Sequence, residues 1–174
     1  MPRIKIVEYD ACDLVRKELY DEQIKLHGRI TNMKKTLLNS PLSFKVLMEW
    51  YPLRDALIEF IDAFSVNVYA YAISSENDCM ICTTFFRRIL IDNGYNPDDL
   101  VLSEKDKLLW EYGRMLVSSA HNIPDSIFSK LKESFSEEQI VLLTAFGAMM
   151  IATNLINNAL DVPLDHYLID YAKK

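Results

Sequence analysis

Glycine and proline are both scarce in this chain, with 4 and 6 among 174 residues. A turn-rich all-β fold needs both at its many turns and is disfavoured. Cysteine numbers only 3, an odd count that suits a reducing compartment better than a disulfide framework. Histidine is equally rare: His27, His121 and His166 stand far apart, and none has metal-ligand spacing with the cysteines, so no metal is expected. Basic residues fall short of acidic ones, 19 against 25, for a net charge of −6. That balance argues against a nucleic-acid surface. There is no Gly-rich phosphate loop, no Gly-x-Ser-x-Gly and no Ser/His/Asp order, so no cofactor is expected. The opening residues 1–6 lack the apolar run of a signal peptide, and a cytoplasmic location is the expectation.

What remains is a composition that folds. Half of the residues are hydrophobic and a quarter charged, which places the chain among globular proteins. Its length suits a single domain spanning 1–174. The run from Ile140 to Leu160 carries no charge and is long enough to cross a bilayer. It nevertheless contains Thr144, Thr153, Asn154, Asn157 and Asn158, opens on a Ser136…Gln139 capping box, and closes at Asp161 and Pro163. It reads as a helix buried on most sides, in the core and at a subunit contact, and not as a membrane span.

The rest reads as helix after helix. Apolar positions at Leu14, Val15, Leu19 and Leu26 mark a first helix ending at Gly28. A short one runs from Met33 to Leu38, and Pro41 and Pro52 suit the first turns of later ones. Pro52 to about Ile73 reads as one long helix, although its residues 66–73 are strand-like in type. Further helices are expected over about 79–93, from Ser103 to about Ser119, and from Pro124 to Phe135, with a last turn or two between Leu164 and Tyr171. The fold class is all-α, a compact multi-helix bundle.

One short segment carries chemistry: Cys79-Met80-Ile81-Cys82. A helix brings residues three apart onto one face, and Asp78 is a good N-cap residue, which would put both cysteines in a first helical turn. The free amides and positive end of that turn favour thiolate over thiol. This suits a redox-active dithiol, while two small buried apolar residues are the alternative. Phe86 lies on the same face and can only cover the sulfurs with an apolar ring, which raises a thiol pKa as the helix end lowers it. Glu76, in the loop before the dithiol, is a candidate accessory base or an exposed carboxylate. Cys12 reads as a lone structural thiol, and Arg87 and Arg88 as a solvated face. Tyr69, Tyr71, Phe85, Phe86 and Trp110 line either a core or a ligand pocket.

The chain resembles the alkylhydroperoxidase-like, or carboxymuconolactone decarboxylase-like, superfamily, in its peroxidase-related branch. The resemblance runs from Arg3-Ile4 through Leu19-Tyr20-Asp21, then Gly28-Arg29-Ile30-Thr31-Asn32-Met33 with Ser40-Pro41, then the Cys79/Cys82 pair, and last residues 155–163, which resemble the family's closing Asn-x-x-Ala-x-Gly-Val segment. It implies an all-α fold, a homo-oligomer, and a dithiol that cycles between reduced and disulfide forms while reducing a peroxide or exchanging with a thiol reductant protein. By resemblance Cys82 attacks the peroxide and Cys79 closes the disulfide; helix-end physics alone would make Cys79 the better thiolate. The family's proton-relay Glu and His fall on Asn67 and Phe86, and a further His of some members falls on Ile81. The resemblance therefore implies a weak peroxidase, slow for want of a base. The alternative is a non-catalytic member that binds a small apolar ligand or a partner. A lactone decarboxylase is a third reading, disfavoured because both cysteines are kept.

Overall fold

The computed structural model describes residues 2–173. Among them the chain forms nine α-helices and no strand: α1 Leu14–His27, α2 Asn32–Leu37, α3 Pro41–Met48, α4 Trp50–Ile58, α5 Ala63–Glu76, α6 Met80–Asp92, α7 Glu104–Ser118, α8 Asp125–Ser134 and α9 Glu137–Ala159. Short 3-10 turns cover Tyr9–Ala11, Ala120–Asn122 and His166–Tyr171.

Side-chain caps decide where most of these helices begin. Asp13, Thr31, Ser40, Asp62, Ser103 and Ser136 each accept a hydrogen bond from a backbone N–H in the first turn of the helix they precede. Ser103 with Asp106 and Ser136 with Gln139 form full capping boxes. Pro41 is the first residue of α3, where its missing N–H costs nothing. Gly28 ends α1 in the left-handed region at φ +70°.

The expected long helix from Pro52 to Ile73 is two helices. The chain breaks after Ile58 and restarts at Ala63, because Asp62 turns its carboxylate onto the Ser65 N–H at 2.7 Å and acts as a new N-cap. The strand-like stretch is the middle of α5, and every residue there from Val68 to Ser74 is buried. α5 is the central helix, packed on α4, α6, α7 and α9, so its composition reflects burial on all sides. Tyr69 is fully buried in it, and its hydroxyl donates to the Leu143 carbonyl on α9 at 2.9 Å.

The core has two main parts. The larger joins α4 to α9 around Tyr69, Tyr112, Leu143 and Phe146. The smaller joins α1 to α3 around Leu19, Leu38 and Phe44, and Met149, Ala152 and Ile156 of α9 pack against it. α9 thus serves both. It is long and apolar enough to cross a membrane by length and mean hydropathy, 1.8, yet it buries Phe146, Gly147, Met150, Asn154 and Asn157 inside the bundle. It is not covered on most sides, since Val141 and Leu155 stand 66% and 55% exposed.

Arg87 departs from expectation as well. It is buried, and its guanidinium donates to both Asp98 oxygens at 2.7 and 2.9 Å, to the Tyr71 hydroxyl, and to the Tyr171 carbonyl. It is a structural tie from α6 to the following loop and the C-terminal turn, not part of a solvated face.

Close helix approach generates a stability prediction. A Cβ on Gly113 of α7 would lie 2.9 Å from two ring carbons of Tyr69 and 3.0 Å from Ile73. Gly→Ala in a helix ordinarily gains ~1 kcal/mol, but overpacking a rigid core costs ~1–3 kcal/mol. Gly113→Ala should lower stability by about 1–2 kcal/mol in urea denaturation; an unchanged or raised midpoint would show that the Tyr69 ring has room to move.

Candidate active site

The dithiol lies at the join between α5 and α6. Asp78 is not the N-cap of α6. It adopts φ +49°, the left-handed residue that closes α5. The Asp78 N–H donates to the Ser75 carbonyl at 3.2 Å and the Cys79 N–H to the Ser74 carbonyl at 3.0 Å, the paired bonds of a Schellman ending. Cys79 therefore becomes the N-cap of α6, and Cys82 falls in its first turn. Asn158 of α9 holds this turn from outside, donating to the Asn77 carbonyl at 3.2 Å.

Both cysteines are free and buried. They form a small apolar cluster with Ile81 and Val162, against Met33, Leu160 and Leu164. Beside the Cys79 sulfur stand the Cys82 thiol, the Cys82 and Ile81 N–H groups of the helix start, and the Asn157 side-chain amide. These donors outweigh burial and draw its pKa down to about 7. Cys82 is driven the other way, well above the usual thiol range, because its hydrogen is committed to Cys79 and its sulfur is desolvated. Near neutral pH the pair therefore titrates between the fully protonated form and one with a single shared proton and a negative charge centred on Cys79.

Asn157 binds the pair from α9. Its Nδ2 lies 3.2 Å from the Cys82 sulfur and 3.9 Å from that of Cys79. Its own Oδ1 is buried without a partner among the described residues, so the amide is oriented by the sulfurs.

Cys82 opens onto a cavity of about 450 Å³. One stripe of α6, Cys82, Phe85, Phe86 and Ile89, forms one wall. The others come from α1 to α5, from Met150, Thr153 and Asn157 of α9, and from the segment carrying Asp165 and Tyr167. The cavity thus lies where the two parts of the core meet. Asn67 and Phe86 both line it; Phe86 is buried, and the Asn67 amide donates to the Ala63 carbonyl at 2.8 Å. Glu76 does not line it: its carboxylate accepts from Arg114 Nε at 2.6 Å. Cys12 is buried in the N-terminal segment, its thiol 3.5 Å from the Glu8 carbonyl.

Several cavity residues had no distinctive sequence signal. Lys34 is 4% exposed, and its Nζ donates to Gln23 Oε1 at 2.6 Å and to the Tyr51 hydroxyl at 2.7 Å. Burial lowers its pKa to about 8 and raises that of Tyr51 to about 12. His27 stacks on Tyr51 at 4.2 Å. Burial lowers its pKa, and the charges of Lys34 and Arg54 lower it further. Asn157 was visible in the sequence only as a polar residue in an apolar run. Among the described residues no group of three or more His, Cys, Asp or Glu side chains is placed to hold a metal ion.

The chain matches no protein-family model and no curated protein. Its fold, by contrast, has close counterparts. An uncharacterized peroxidase-related protein with an alkylhydroperoxidase AhpD core, from Ralstonia eutropha JMP134, superposes with a TM-score of 0.75 at 17% identity, over 96% of this chain and 94% of that one. The fold is the alkylhydroperoxidase-like all-α bundle. The debrominase Bmp8, in a cysteine-to-alanine variant bound to 2,3,4-tribromopyrrole, gives a TM-score of 0.78 at 17% identity, over 97% and 94% of the two chains. A peroxidase-related protein from Silicibacter sp. TM1040 gives 0.74 at 13% identity, over 97% of each. At these identities the likeness is one of fold.

The shared proton can be titrated. Ultraviolet thiolate absorbance should rise with a midpoint near pH 7 from Cys79. Cys82→Ala removes the strongest hydrogen bond to that sulfur and should move the midpoint up; Asn157→Leu should move it up by less. A midpoint unmoved in Cys82→Ala would assign the shift to the helix end and Asn157 instead.

Proposed function

We propose that the chain is a thiol-dependent oxidoreductase that reduces a small organic hydroperoxide admitted to the cavity. The observation that carries this reading is the division of labour within the dithiol. Cys79 stores the negative charge behind the wall, and Cys82 presents its sulfur to a chamber of ligand size. Passing its hydrogen to Cys79 makes Cys82 the thiolate. That sulfur attacks the terminal peroxide oxygen, the O–O bond breaks, and the alcohol leaves with the proton that Cys79 received, which returns Cys79 to the thiolate. Cys79 then attacks the sulfenic acid, water departs, and the disulfide closes. From the singly protonated pair, one thiol hydrogen, one proton from solvent and two electrons are consumed per peroxide, and an external dithiol, a small thiol or a reductant protein, restores the electrons. A cytoplasmic setting would keep that donor reduced.

The residues beside Cys82 favour a slow reaction. Asn67 and Phe86, the positions matched to the family's Glu and His, both line the chamber and neither takes up a proton. This same feature supports the second reading, a non-catalytic chamber for a small apolar ligand. The debrominase complex adds one more substrate to assay: an aryl bromide would leave as the arene and bromide as the dithiol closes to a disulfide.

We also propose self-association. Val141, Ala145, Ala148 and Leu155 of α9 stand exposed, spaced by four, three and seven residues along one helix face. That stripe suits a helix–helix contact between copies.

Two measurements test these readings. In peroxide turnover with dithiothreitol, wild type should be slow, Cys82→Ser inactive, and Asn67→Glu/Phe86→His faster by ~10²-fold, since the new imidazole lies one helical turn past Cys82. No gain in a folded double variant would favour the non-catalytic reading. In sedimentation at micromolar concentration, wild type should exceed its 20.2 kDa monomer mass and Val141→Glu/Leu155→Glu should not; a monomeric wild type would refute the contact.

A further inference from the structure

The chain is acidic, with a net charge of −6, yet the chamber wall is not. Lys34, Arg54 and Arg88 line it, with His27 and Arg29 at the rim, against one carboxylate, Asp165. Burial raises the pKa of Asp165, which weakens it as a counter-charge.

These cations differ in how they are compensated. Arg54 pairs with Asp55 at 2.6 Å and Arg88 with Asp92 at 3.1 Å. Arg29 lies over the Tyr167 ring at 4.3 Å, with Asp165 near enough to feel its charge. Lys34 alone is both buried and uncompensated. Among the described residues no carboxylate lies within 4.0 Å of its Nζ, and both of its hydrogen-bond partners are neutral. An ammonium has three hydrogens to donate, so one is left for the chamber. The buried Nε of Arg88 also lacks an acceptor among the described residues. A buried cation without a counter-charge is costly, and an anion delivered to it relieves that cost.

From this we propose that the chamber recognises a small, singly charged aromatic carboxylate. The single charge follows from one uncompensated cation, and the ring from the walls around it: Tyr51, Phe85 and Tyr167 line the same chamber. The carboxylate accepts from Lys34, and the ring lies among these aromatic faces within reach of the Cys82 wall. The inference rests on reading the chamber as the dithiol's substrate site, and it names the class of molecule admitted there.

Benzoate and its neutral isostere benzamide are the probes. Calorimetry with the reduced protein should show benzoate binding at least about ten-fold tighter than benzamide, as expected for a charge-assisted hydrogen bond to a buried group. Lys34→Met, which keeps the apolar stem, should lose that preference, weakening benzoate far more than benzamide. Bound benzoate should also slow alkylation of Cys82 by iodoacetamide. Equal affinity for the two probes in wild type, a preference retained in folded Lys34→Met, or alkylation unaffected by saturating benzoate would each overturn the inference. The wild-type comparison decides the matter even if Lys34→Met fails to fold. Oxidation of the dithiol by cumene hydroperoxide, run in parallel, separates the two readings: a reactive dithiol without benzoate binding defeats the anion inference alone, and benzoate binding beside an inert dithiol defeats the redox reading alone.

Discussion

The turn from Asn77 to Cys79 is the constraint on which the site depends. Two helices share it. The Cys79 N–H completes the ending of α5, and the Cys79 residue caps the start of α6. Because α5 is buried from Val68 to Ser74, its end cannot slide without disturbing the core. Asp78 holds the left-handed backbone that lets the chain reverse there, and Asn158 of α9 fastens the turn's carbonyls. The sulfur positions are therefore inherited from helix packing, and no flexible loop sets them.

Electrostatics then makes the two thiols unequal. Both sit at one helix start, yet only Cys79 collects several donors. Cys82, as one of those donors, gives up its own acidity. The negative charge is thus kept on the sulfur with no solvent exposure, and the less acidic sulfur faces the chamber. Helix-end physics and the family resemblance had pointed to different cysteines, and in this geometry each describes a different property: Cys79 is the better thiolate and Cys82 the accessible one.

Much of this was legible in the residues. Capping boxes at Ser103 and Ser136, Pro41 and Gly28 carry their conformational preference locally, so those helix boundaries could be read directly. The break at Asp62 was missed because an apolar run masked a capping residue, and the Cys79 cap was missed because Asp78 can serve either as a cap or in a left-handed turn. Arg87 looked solvated because its partner Asp98 lies beyond the helix end. The Cys82–Phe86 stripe followed from helical spacing, whereas Lys34, Tyr51 and Asn157 come to the chamber from α2, α4 and α9. Nothing in a single sequence reports contacts of that range.

The full burial of Cys79 bears on kinetics. In the folded protein only one of the two sulfurs can be approached. In the proposed redox cycle the oxidant then meets Cys82, and so does the thiol that later opens the disulfide. Substrate and reductant then take turns at a single atom through one chamber. Turnover under those conditions follows ping-pong kinetics, with excess of either reactant slowing the half-reaction of the other, and any mixed disulfide trapped during the cycle is carried on Cys82.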